Sequence, residues 1–167
     1  LGGEVLAYYA GRLLLEAACV AGWHGLLTRS VGPQIRGGEA AALLRIAVDA
    51  VECHGDRFEL LVGVDWLNAH RFEAEIALGP DSVVVSDPQG GEPPAIVPAS
   101  GARLIDLRLR ELTTANPAWR PNMIALGAAA QLLGLDQALL ADLIDRRFRD
   151  TGAAIASANR FLERRSP

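Results

Sequence analysis

Between Glu4 and about Ala21 the only charged residues are Glu4, Arg12 and Glu16. At ~100° per residue these three share about a third of a helical circumference, and the rest is apolar. The pattern predicts a mostly covered helix that stops near Gly22. Gly25–Ser30 reads as a short strand with polar last residues, and 31–38 as a loop by its Gly and Pro content. Ala40–Val48 and Leu60–Asp65 are apolar and of strand length, the second ending in a carboxylate. Trp66–Leu78 places Trp66, Ala69, Phe72 and Ile76 at helical spacing, so a helix is expected there.

Gly79-Pro80-Asp81 turns the chain into Ser82–Asp87, the clearest strand by pattern. Pro88–Pro98 reads as a surface loop with a short extended piece at Ile96-Val97. Arg103–Leu107 follows as a further strand and Leu109–Thr114 as a brief helix. Pro121 opens a helix that runs to about Leu133 and stops at Gly134. Asp136 caps the next, whose Leu139, Leu140, Leu143, Ile144 and Phe148 form one stripe. Thr151 caps a third, with Ile155, Ala158 and Leu162 on one side. Strands that alternate with helices and are apolar nearly throughout predict a mostly parallel sheet covered on both faces. The expected fold is therefore α/β, a three-layer α/β/α sandwich with a helical C-terminal portion, in a single domain spanning 1–167.

Composition narrows the function more than the fold. A protein of 167 residues, half of them hydrophobic, buries roughly 70% of its unfolded surface and forms a sizeable core. A net charge of −4 supplies no basic field for nucleic acid or an anionic membrane. No apolar run approaches the roughly 20 residues that span a bilayer. The sequence opens at Leu1 without a Met or a signal pattern, so it is expected to be a piece of something longer, working in the cytoplasm. Cys19 and Cys53 form no disulfide framework and fall short of the four thiolates of an iron–sulfur cluster. His24, His54 and His70 match no zinc spacing and read as ordinary surface or boundary side chains. Every basic residue is arginine, which removes Schiff-base and phosphate-loop lysine chemistry. No nucleophile elbow is present, and no residue offers itself as a catalytic acid, base or nucleophile.

Four features remain. Gly2-Gly3 before a helix suits a phosphate, whose charge the free N–H groups and helix dipole favour, yet Glu4 brings a carboxylate of its own. A close-packed turn is the favoured reading of the pair. Arg36-Gly37-Gly38 joins a planar donor fork to backbone that turns sharply, as an anchor for an acidic ligand or partner or as a plain surface turn. Asp65 and Asp87 end strands at the edge where open α/β sheets hold ligands; N-capping suits Asp65, and turn formation suits Asp87. Asn122 fits an N-cap, with an interface contact as the second reading.

Taken in order, these segments resemble a known family. Gly2-Gly3, then Thr28-Arg29-Ser30-Val31-Gly32-Pro33-Gln34-Ile35-Arg36-Gly37-Gly38-Glu39-Ala40, the strand ending in Asp65, and Asn122-Met123-Ile124-Ala125-Leu126-Gly127-Ala128 are similar to the gamma-type subunit or domain of 2-oxoacid:ferredoxin (acceptor) oxidoreductases. That family includes pyruvate, 2-oxoglutarate and indolepyruvate enzymes. Asp65-Trp66-Leu67-Asn68 with Arg71-Phe72 resembles the forms in which this domain is fused ahead of the alpha domain. The resemblance covers nearly the whole sequence, with two departures. The strand that normally precedes the glycine turn is missing, and Glu4-Val5 stand where the family carries Gln-Gly.

The resemblance implies oxidative decarboxylation of a 2-oxoacid to an acyl-coenzyme A with reduction of ferredoxin. It implies that this polypeptide alone binds no cofactor. Thiamine diphosphate, its magnesium and the iron–sulfur clusters would sit on alpha- and beta-type partners, in keeping with the missing Gly-Asp-Gly…Asn stretch. Gly2, Gly3, Arg36, Gly37, Gly38 and Asn122 would then line a substrate or coenzyme A channel or an interface. The alternative is a free-standing nucleotide- or coenzyme-binding regulatory module built on Gly2-Gly3. A purely structural domain that docks through its Arg36 loop is the third reading.

Overall fold

The computed structural model describes residues 3–31, 40–67, 69–116 and 119–147. The expectations for Gly2, Arg36, Gly37, Gly38, Phe148 and the helix after Thr151 lie outside the described residues. The fold is α/β, as the alternation of patterns predicts. Two compact units divide the protein, one made of residues 1–54 and 117–167, the other of 55–116.

The first unit is built on helix α1 (Gly3–Val20). Strands β1 (His24–Val31) and β2 (Ala40–Ala47) form an antiparallel ribbon, and helices α4 (Pro121–Leu132) and α5 (Gln137–Arg147) complete the unit. Only residues 32–39 join the two strands, whereas a parallel crossover needs a dozen or more residues. That shortness imposes the antiparallel pairing, in which Leu27 faces Leu44 and Val31 faces Ala40.

The helix stops fall where glycines predict them. Gly22 and Gly134 take positive φ values of 87° and 70°. After each, the next residue reaches back: Trp23 N–H bonds Ala18 C=O at 2.9 Å, and Leu135 N–H bonds Ala130 C=O at 2.9 Å. Both ends are Schellman motifs, and each joins a hydrophobic pair in the core. That core gathers Leu13, Ala17 and Ala18 of α1, Met123, Leu126 and Ala130 of α4, and Leu140, Leu143 and Ile144 of α5. Each fully buried Leu or Ile contributes roughly 1.5–3 kcal/mol relative to exposure. Asp136 caps α5 as expected, its Oδ1 accepting the N–H groups of Ala138 (2.8 Å) and Leu139 (3.3 Å).

The second unit holds the parallel part of the fold. Strands β3 (Leu60–Gly63), β4 (Val83–Ser86) and β5 (Arg103–Asp106) pair in sequence order, with Val62 beside Val85 and Val85 beside Ile105. Val84 and Val85 of the central strand are buried. Short helices α2 (Ile96–Ala99) and α3 (Leu109–Ala115) precede and follow β5.

Two local expectations are overturned here. The apolar spacing over Trp66–Leu78 produces a 3-10 helix, Ala69–Glu75, rather than a full α-helix. Trp66 stands before it, its C=O accepting the Ala69 N–H at 3.0 Å: its backbone N–H bonds Gly90 C=O at 2.8 Å, and its indole Nε1–H donates to Ser86 Oγ at 2.8 Å. The spacing marks which side chains are buried, Trp66 and Phe72 among them, without marking the helix type. Ile96-Val97, expected extended, starts α2 instead, because Glu73 Oε1 accepts the Ile96 N–H at 3.3 Å and Pro94 C=O accepts that of Val97 at 2.9 Å.

Trp66 also explains one glycine. A methyl group on residue 63 would overlap the indole ring, so only hydrogen fits there. Gly63→Ala is expected to destabilise the protein by about 1–3 kcal/mol through overpacking. In urea unfolding, the Gly63→Ala/Trp66→Leu double variant should lose less than the sum of its two single losses; strict additivity would refute the packing argument.

Candidate functional site

Parallel α/β sheets hold ligands at the carboxyl ends of their strands. In the second unit that edge begins with Asp65 after β3 and Asp87 after β4. Asp87 is 1% exposed, and both of its carboxylate oxygens are occupied. Oδ1 accepts the Gln89 N–H at 3.0 Å, and Oδ2 accepts the Arg110 N–H in the first turn of α3 at 3.2 Å. Its backbone carbonyl takes the Gly90 N–H at 2.8 Å. The carboxylate thus organises the expected turn and also ties α3 to the end of β4, a partnership 23 residues away that spacing does not reveal.

Asp65 behaves differently. It is exposed, and its Oδ1 accepts the Leu67 N–H at 2.9 Å, closing an Asx turn. With no α-helix beginning there, the expected helix N-cap becomes a turn cap. Leu67, just beyond, is 77% exposed, whereas Trp66 before it is buried between Gly63 and Ser86. The buried polar side chains at this edge therefore serve the fold: two N–H donors fill Asp87, and the Trp66 indole N–H bonds Ser86.

In the first unit the structure describes two of the six expected site residues. Gly3 is the first residue of α1. Asn122 lies in the first turn of α4, where the N-cap expectation needs correction. Arg120 has the extended cap backbone (φ −112°, ψ 134°) and Pro121 occupies N1, so Asn122 comes second in the helix. Proline is favoured at N1 because it has no N–H to leave orphaned, and this moves the cap one residue earlier than the Asn suggests. Arg120 C=O accepts the N–H groups of Met123 (3.0 Å) and Ile124 (3.2 Å), and the Arg120 side group makes no cap bond. Asn122 is 8% exposed, and its buried Oδ1 has no hydrogen-bond partner. A buried acceptor without a donor costs about 1–3 kcal/mol, so folding of this polypeptide does not explain the Asn.

A second polar group on the ribbon lay hidden in the sequence. His54 Nε2 and Thr28 Oγ1 are 2.8 Å apart, and Arg45 Nη1 donates to Cys53 C=O at 2.8 Å and lies 3.7 Å from its Sγ. Cys53 and His54 thus join neighbouring strands of the ribbon instead of acting as an adjacent pair. His24 and His70 are exposed, in keeping with their reading as surface side chains.

The donor set does not fit an iron–sulfur cluster. The two cysteines lie on α1 and beyond β2, and a cluster takes four thiolates. Among the described residues no three His, Cys, Asp or Glu side chains come together. No described helix is long and apolar enough to cross a membrane.

Residues 2–164 match the family model for pyruvate ferredoxin/flavodoxin oxidoreductase. The chain belongs to that family. Comparison with curated proteins finds no match. Among the solved structures with a similar fold are the following three. The 2-oxoglutarate:ferredoxin oxidoreductase from Magnetococcus marinus, solved with 2-oxoglutarate, coenzyme A and succinyl-CoA bound, is similar at TM-score 0.77 and 22% identity. The match covers 93% of this chain and 28% of that one, so this chain spans little more than a quarter of that relative. The gamma subunit of a keto/oxoacid ferredoxin oxidoreductase from Geobacter sulfurreducens is similar at TM-score 0.69 and 20% identity, over 94% of this chain and 91% of that one. Pyruvate oxidoreductase subunit PORC from Thermotoga maritima is similar at TM-score 0.67 and 20% identity, over 98% and 89%. At these identities the likeness speaks for the fold.

The carboxylate and the amide can each be tested by substitution. Asp87→Asn places an NH2 against a backbone N–H and should lower stability by about 1–3 kcal/mol in urea unfolding; an unchanged midpoint would mean the two bonds contribute nothing. Asn122→Leu should leave the midpoint unchanged or raise it, whereas Asn122→Asp should lower it by burying a charge. A clear loss with Leu would show that the amide is satisfied in the free protein.

Proposed function

We propose that this protein is the gamma-type domain of a 2-oxoacid:ferredoxin oxidoreductase and is not catalytic by itself. What carries the reading is a contrast in coverage. The match spans most of two separate subunits, described as gamma and PORC, but 28% of the 2-oxoglutarate enzyme's chain. The same fold thus occurs as a free-standing subunit and as one part of a longer polypeptide, the pattern of a module that works beside others.

In this reading the assembled enzyme converts a 2-oxoacid and coenzyme A to an acyl-coenzyme A and carbon dioxide, passing two electrons to ferredoxin. Alpha- and beta-type partners hold thiamine diphosphate with its magnesium and the iron–sulfur clusters, and the assembly works in the cytoplasm. The gamma-type domain contributes packing and part of a wall. Gly2, Gly3, Arg36, Gly37, Gly38 and Asn122 line an interface or a coenzyme A or substrate channel. Two physical arguments support these assignments. The Arg36 guanidinium is a planar fork suited to a carboxylate or phosphate. The Asn122 Oδ1 is a buried acceptor whose cost is recovered when assembly supplies a donor.

Reconstitution tests the reading. Co-expressed with thiamine- and cluster-bearing partners, the protein should support 2-oxoacid- and coenzyme A-dependent reduction of a viologen dye, and purified alone it should be colourless and inert. An assembled complex without that activity would refute the proposal. Arg36→Ala should weaken assembly roughly tenfold or more, ~1.4 kcal/mol, without shifting the unfolding midpoint. Calorimetric binding of NAD or ATP by the isolated protein would favour the regulatory-module reading instead.

A further inference from the structure

We draw no further inference here: the strongest candidate, the exposed Cys53 thiol beside Arg45 and His54 on the β1–β2 ribbon, is a lone cysteine held by contacts within its own cluster, with nothing in the structure that points to a ligand.

Discussion

A helix of 18 residues with its charges gathered on one side must be covered on nearly every other side, and the first unit is the solution to that constraint. The ribbon, α4 and α5 each pack against α1. Leu13, Ala17 and Ala18 are fully buried as a result, while Arg12 remains exposed. Glu16, on the charged stripe, meets Arg147 at the end of α5 at 3.2 Å. Such a half-exposed pair contributes little energy, about 0–1 kcal/mol at most. The stability of the arrangement lies in the apolar faces. The two Schellman ends add to it by turning Trp23 and Leu135 back into the same core.

The second unit depends on a different device, in which single tertiary hydrogen bonds tie the loops and short helices to one another and to the end of β4. Trp66 anchors to Ser86 and Gly90, Asp87 to Gln89 and Arg110, and Glu73 to Ile96. Strands of four residues make few ladder bonds, so tertiary side-chain ties take on much of the ordering. The edge where a parallel sheet would receive a ligand spends its buried polar groups on the protein itself.

Much of this was legible from pattern alone. Periodicity places α1, both ribbon strands, β4, α4 and α5 to within a residue or two, because each is long or strongly apolar. Glycine and aspartate chemistry marks the stops at Gly22 and Gly134 and the cap at Asp136. Errors gather where an element is short and its conformation depends on distant residues. Trp66, just before the 3-10 helix at Ala69–Glu75, is held by Gly90 and Ser86, and the turn into α2 by Glu73 and Pro94. At Asn122 the misreading was local: a proline at N1 outranks the asparagine as the signal for where the helix begins.

The sequence by itself determined the α/β class, the positions of the long elements, and the family through its ordered motifs, whereas the antiparallel pairing of β1 and β2 departs from the mostly parallel sheet it predicts. What it determined is local or near-local: side-chain period and backbone freedom at glycine act over a few residues. Tertiary structure alone decided that Asp87 is buried and filled, that Gly63 must be glycine, and that Asn122 keeps an acceptor without a donor. It also decided that the protein gathers into two units, one of them assembled from both ends. Each of those outcomes depends on which distant groups meet, and free energy of burial is assigned only once they do.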